Sequence, residues 1–126
     1  VAAGLTLDSG ALIAAEKGDR RFWALWKEAI ERGATVTVPA AVVAQVWRGD
    51  SAVIARVLQG CEVEDLSEER AKRIGRLLAA SRTTDVVDGS VVVGAAARRD
   101  AVVTSDRRDI DRLVSGLKQK IAIVAI

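Results

Sequence analysis

Short β-branched runs alternate with longer helical stretches along the whole chain, and this rhythm constrains the fold more than any other feature. Residues 5–7, 35–38, 62–65, 101–104 and 121–126 read as strands, and helical patterns fill the intervals between them. Strands separated by helices build parallel βα units, because a parallel partner is reached only through a crossover. The run 102–104 and the run 5–7 are apolar or β-branched throughout, as strands covered on both faces are. The expected architecture is a three-layer α/β/α sandwich around a five-stranded, mainly parallel sheet. The strands that end at Asp8 and before Asp106 should be neighbours at its switch point.

Helix boundaries are marked by caps and breakers. Gly18 stops a helix from Ser9 to Lys17, and Asp19 can cap the next, to about Arg32, with Gly33 beyond it. Pro39 ends the second strand ahead of a helix over 40–47, and Gly49-Asp50-Ser51 opens another to about Leu58. Ser67 caps a helix carrying Ala71, Ile74, Leu77 and Leu78 on one face, and 81–84 forms a loop. Asp85 and Asp106 cap the last two helices. Phe22, Trp26 and Ile30 fall on one helical face with Trp23 beside them and Trp47 on the next helix. Three roles stay open for these aromatics: core packing, a groove for a partner helix, or base stacking.

The chain has 126 residues, enough for one domain spanning 1–126 with a core that needs no staples. No apolar run approaches the roughly 20 residues that span a bilayer, and no leader pattern opens the sequence. A cytoplasmic protein with no membrane association is the expectation. The single cysteine, Cys61, cannot form an internal disulfide and is expected to be buried and inert. Histidine is absent. Ser-His-Asp and Cys-His catalysis and the usual zinc ligand sets are thereby excluded. Chemistry must come from carboxylates, lysine or an activated water.

Three aspartates stand where such chemistry would be placed. Asp8 closes Leu5-Thr6-Leu7, Asp88 lies in Asp85-Val86-Val87-Asp88, and Asp106 follows Val102-Val103-Thr104-Ser105. In an open α/β sheet the carboxyl ends of the strands line one crevice. Carboxylates gathered there repel, by roughly 4 kcal/mol per pair about 4 Å apart at an effective dielectric of about 20. A divalent cation, Mg²⁺ or Mn²⁺, would relieve that repulsion, and phosphodiester cleavage is the natural chemistry for it. Each aspartate also has a local reading. Asp8, Asp85 and Asp106 can cap helices, and Asp88 at the third helical position favours the helix dipole. Ser9, Thr104 and Ser105 can bond a neighbouring carboxylate, a phosphate or their own backbone. Arg107 and Arg108 flank the crevice, either facing an RNA or DNA backbone or simply solvated. The net charge is only +2, but Arg70, Arg73, Arg76, Arg82, Arg98, Arg99, Arg107, Arg108 and Arg112 crowd the second half, and arginine binds phosphate bidentately.

Four segments together resemble the PIN-domain family, and within it the VapC-type toxins of bacterial toxin–antitoxin pairs. They are Leu5-Thr6-Leu7-Asp8-Ser9-Gly10-Ala11-Leu12-Ile13-Ala14, Val38-Pro39-Ala40-Ala41-Val42-Val43-Ala44-Gln45-Val46-Trp47-Arg48-Gly49, Asp85-Val86-Val87-Asp88-Gly89-Ser90 and Val102-Val103-Thr104-Ser105-Asp106-Arg107-Arg108-Asp109-Ile110. The resemblance implies a metal-dependent ribonuclease in which Asp8, Asp88 and Asp106 hold Mg²⁺ or Mn²⁺ and act with Gln45. Ser9, Asp85, Thr104 and Ser105 would support them. It implies an RNA substrate, a homodimer and a cognate antitoxin that blocks the site. The family usually places a glutamate where this chain has Gln45. Glutamine keeps one acceptor but loses the charge. Glu16 and Asp50 are the nearest acids that could compensate. The alternative reading is a catalytically weak module that acts by binding RNA or antitoxin. A phosphoacceptor receiver domain fits less well, because the acidic pair and the lysine it needs are missing, and no glycine-rich loop supports a nucleotide-binding enzyme.

Overall fold

A computed structural model describes residues 4–126. Five strands, β1 (Leu5–Leu7), β2 (Val36–Pro39), β3 (Glu62–Glu64), β4 (Ala101–Thr104) and β5 (Ile123–Ala125), form one sheet in the order β3-β2-β1-β4-β5. Every pairing is parallel, so the sheet expected to be mainly parallel is wholly so. The helices are α1 (Ser9–Glu16), α2 (Arg20–Glu31), α3 (Ala40–Val46), α4 (Ala52–Gln59), α5 (Glu68–Ser81), α6 (Val86–Arg98) and α7 (Arg107–Val114). The chain leaves β1 in one direction through β2 to β3, then returns to place β4 on the other side of β1. The switch point therefore lies between β1 and β4, as expected.

Side chains alternate across β1. Leu5 and Leu7 point toward the α1 layer, while Thr6 points the other way and reaches Arg98 of α6. Helix α6 lies across β1, β2 and β4 and is buried continuously from Gly89 to Ala95. The core joins Leu7, Leu12, Val36, Val38, Val91, Val92 and Val102, with Phe22, Ile110 and Leu113 packed from the flanking helices. Several elements depart from expectation at their ends. Strand β5 pairs with β4 over three residues only, so 121–122 and 126 fall outside it. Pro39 sits inside the end of β2, where its missing N–H costs no ladder bond, and also precedes α3. Ser81 closes α5 and is not part of the loop.

The aromatic face is only partly interior. Phe22 is buried and stacks on Trp26 with ring centroids 6.1 Å apart, and Trp23 meets Phe22 edge-on at 5.1 Å. Ile30, expected on the same face, is 51% exposed, because the fully buried Ala29 takes the inward position of the last turn of α2 and leaves Ile30 turned outward. Trp47 is likewise exposed at the end of α3. Cys61 is half-buried, with its thiol pushed up to about 12 by burial, so the inert reading fits its chemistry better than its depth. No helix among the described residues is long and apolar enough to cross a membrane.

Candidate active site

Three helix N-termini meet at the carboxyl ends of β1 and β4, and each is capped by an aspartate. Asp8 caps α1, accepting from the Ala11 N–H at 2.8 Å. Its own N–H donates to Val103 at 3.2 Å, which extends the β1–β4 pairing to the cap itself. Asp106 caps α7, accepting from Asp109 at 3.4 Å, and its N–H donates to Thr104 Oγ1 at 2.9 Å. Asp85 caps α6, accepting from Asp88 at 2.9 Å, so Asp88 stands at the third position of that helix. Capping leaves room for a further role, because each cap bond engages one oxygen of a two-oxygen carboxylate. The positive ends of three helix dipoles hold the acidic groups in place.

The electrostatics show that these groups share one environment. Burial raises the Asp8 carboxyl above the usual range, hydrogen bonds from the Thr104 hydroxyl and the Ala11 N–H pull it back, and the charge of Asp106 raises it again. Asp8 is only 5% exposed, so little water screens these effects. Asp88 is pushed up to about 7, first by burial and then by the charges of Asp85, Asp8 and Asp109. Asp88 therefore senses Asp85, Asp8 and Asp109, and Asp8 senses Asp106, at the carboxyl ends of β1 and β4. Asp109 stood outside the expected set, because only the turn of α7 carries it toward α6. Among the described residues, no three acidic side chains already stand as a ligand set around one point.

Gln45, near the end of α3, is exposed, and its side-chain carbonyl accepts a hydrogen bond from the Ser9 hydroxyl. This contact ties α3 to the first turn of α1, beside Asp8. Ser105 packs directly on Gly10, where an added Cβ would collide with Ser105 Oγ, so only glycine admits the β4–α7 turn this close to α1. Arg107 is exposed and paired with Asp111 at 3.4 Å along its own helix, and Arg108 is exposed. Glu16 and Asp50 are both exposed, with no bond tying either to the crevice among the described residues.

One polar cluster has no counterpart among the sequence expectations. Beneath α6, Asp100 accepts from Thr6 at 2.8 Å and from Arg98 at 2.9 Å. Arg98 also donates to Thr6 at 2.8 Å and pairs with Glu64 at 2.5 Å, and Glu64 pairs with Arg70 at 2.8 Å. Gly94 rests on this network, since a Cβ there would lie 2.8 Å from Glu64 Oε1. Burial works against the Glu64 carboxylate, yet Arg98 and then Arg70 hold it below its usual range. The only signal in the sequence is a polar Thr6 in a central strand and an aspartate directly before β4.

No protein-family model matches the sequence, and no curated protein matches it. Solved structures do. A chain of the VapBC2 complex from Rickettsia felis, bound to a DNA fragment from its promoter, aligns over 97% of this chain and 98% of its own, with a TM-score of 0.72 and 15% identity. A DNA-bound VapBC from Salmonella typhimurium aligns over 97% of both chains, with a TM-score of 0.68 and 19% identity. A toxin–antitoxin complex from Klebsiella pneumoniae aligns over 84% of this chain and 89% of its own, with a TM-score of 0.67 and 18% identity. At these identities the likeness carries the architecture, and the chain has the PIN-like α/β/α fold that its four sequence segments resemble.

Proposed function

We propose that this chain is a VapC-type toxin, a metal-dependent endoribonuclease that hydrolyses phosphodiesters in single-stranded or loop RNA and is restrained by a cognate antitoxin. What supports the reading is that Asp8 and Asp106 each cap a helix at the β1–β4 switch point and that Asp88 is raised to about 7 by burial and by the charges of Asp85, Asp8 and Asp109. A crevice so charged has a shortage of cations built into it. The folds it resembles occur in toxin–antitoxin complexes, which supports an antitoxin partner. A homodimer is part of the same reading.

The donor set suits Mg²⁺ or Mn²⁺. Every candidate ligand is a carboxylate oxygen, the hard donor these ions prefer, and no thiolate or imidazole competes. Asp8, Asp88 and Asp106 would hold the ion, with Asp85 and Asp109 adding field. When bound, the ion acidifies water and offsets the charge of the phosphodiester. Thr104 fixes the Asp8 carboxylate through its hydroxyl and the Asp106 backbone through its oxygen, so one side chain sets the spacing of two acids. Asp88 holds a proton near neutral pH, and that proton must leave when a cation enters. Ser105 keeps the β4–α7 turn against α1, and Arg107 and Arg108 lie on the RNA approach.

Cleavage of a single-stranded RNA in Mg²⁺ and in excess chelator, with Asp8→Asn and Asp106→Asn beside the wild type, tests the proposal. Loss of cleavage in chelator and in both variants is expected. Cleavage unchanged in all three would overturn it.

A further inference from the structure

An acidic crevice must still admit an anion, and beside the exposed Ser105 and Arg108 the Gln45 amide offers it neutral donors. The hydroxyl hydrogens of Ser9 and Thr104 are committed to Gln45 Oε1 and to Asp8. The nearby cation Arg107 is turned along its own helix toward Asp111. Gln45 differs from these groups. Its carbonyl oxygen faces Ser9, so the amide nitrogen at the other side of the same plane points away from Ser9 with two N–H donors. Among the described residues neither N–H has a partner, and the side chain is exposed.

Building on the nuclease reading above, we infer that Gln45 is the phosphate-binding donor of this crevice: its amide N–H groups bond a non-bridging oxygen of the RNA phosphodiester, and Ser9 is the positioning residue that orients the amide. A neutral donor suits this place. It binds an anionic oxygen without adding a sixth negative charge beside the five acids, and it leaves those acids to the cation. An amide also cannot rotate to offer the same pattern if its carbonyl is held. With the Ser9 bond intact the amide presents donors, and without it the two ends interchange freely. Hydrogen bonds to a charged acceptor are roughly twice as strong as neutral ones, so a single amide suffices to register a phosphate.

The test measures binding of a fluorescein-labelled single-stranded RNA to the full chain by anisotropy, with Ca²⁺ in place of Mg²⁺ so that turnover does not enter. Mn²⁺ affinity is followed in parallel by electron paramagnetic resonance without RNA. Gln45→Ala and Ser9→Ala should each weaken RNA binding roughly tenfold, and the double variant no further, because both remove one contact. Ser9→Thr should restore binding. None of these variants should weaken Mn²⁺ binding, whereas Gln45→Glu should tighten Mn²⁺ and weaken RNA. Both residues lie outside the buried core, and matching circular dichroism and melting midpoints confirm the fold of each variant. Unchanged RNA affinity in Gln45→Ala overturns the inference while leaving the nuclease reading intact. So does a loss of Mn²⁺ affinity in Gln45→Ala equal to that of Asp88→Asn, which would make Gln45 a ligand. A wild type that neither binds nor cleaves RNA overturns both.

Discussion

Asp88→Asn should make the cation-free protein more stable at pH 8 while abolishing its response to Mg²⁺. In the folded chain Asp88 binds its proton more tightly than in the unfolded chain, at about 7 against 3.8. The folded state therefore holds an extra proton between these values, and stability falls as pH rises from about 4 to about 7, then levels. A difference of that size corresponds to roughly 4 kcal/mol. Partial contact with water screens the repulsion, and about 2 kcal/mol is the expected effect. Asparagine mimics the protonated form at every pH, and its amide can still donate to Asp85. Urea unfolding in chelator should show the variant about 2 kcal/mol more stable at pH 8, with the gap closing near pH 4. Other carboxylates titrate in both proteins and cancel in the difference. Added Mg²⁺ should stabilise the wild type at pH 8 by mass action and leave the variant nearly unmoved. A variant less stable than wild type at pH 8 in chelator would show that Asp88 is not held against repulsion, and the electrostatic argument for the site would fail.

Calorimetric Mg²⁺ binding to the wild type should tighten as pH rises through about 7 and release a proton below it, seen as a buffer-dependent heat. Gly10→Ala should push Ser105 away from α1, cost about 1–3 kcal/mol in urea unfolding, and weaken Mn²⁺ binding, with Ser105→Gly in the same chain recovering part of both. Glu64→Gln should cost about 1–2 kcal/mol at pH 7, an allowance reduced for the partial exposure of the pair. Because the Glu64 carboxyl is lowered in the folded state, its contribution is present above its ordinary value of 4.5 and is lost as pH falls through the folded value, so the cost should vanish in acid. Phe22→Ala should cost about 3–5 kcal/mol by emptying a fully buried site, with no effect on Mn²⁺ affinity.

Much of the architecture was legible because its signals are local. Asp19, Ser67, Asp85 and Asp106 each cap the helix they were expected to cap, and Ser51 is the cap within the opening Gly49-Asp50-Ser51, since a cap needs only the three residues that follow it. The apolar character of 5–7 and 101–104 identified the two central strands, because burial on both faces leaves no position for a charge. Where partners are distant in the chain, the pattern was silent. Nothing near Glu64 announces Arg98, and nothing near Thr6 announces Asp100, because an ion pair has no period to read. The exposure of Ile30 also escaped, since steps of four residues drift around the helix and Ala29 takes the inward place.

The sequence by itself determined the alternation of strands and helices, the caps, and which acids end up at the carboxyl side of the sheet, because each follows from bonds made within a few residues. Only the tertiary structure decided that Asp88 feels Asp8 and Asp109 while Asp8 feels Asp106, that Gln45 turns its carbonyl to Ser9, and that Gly94 settles α6 on a four-charge network. Those outcomes depend on β4 pairing with β1 and on α6 crossing the sheet. Distances through space between residues far apart along the chain exist only once those layers have packed.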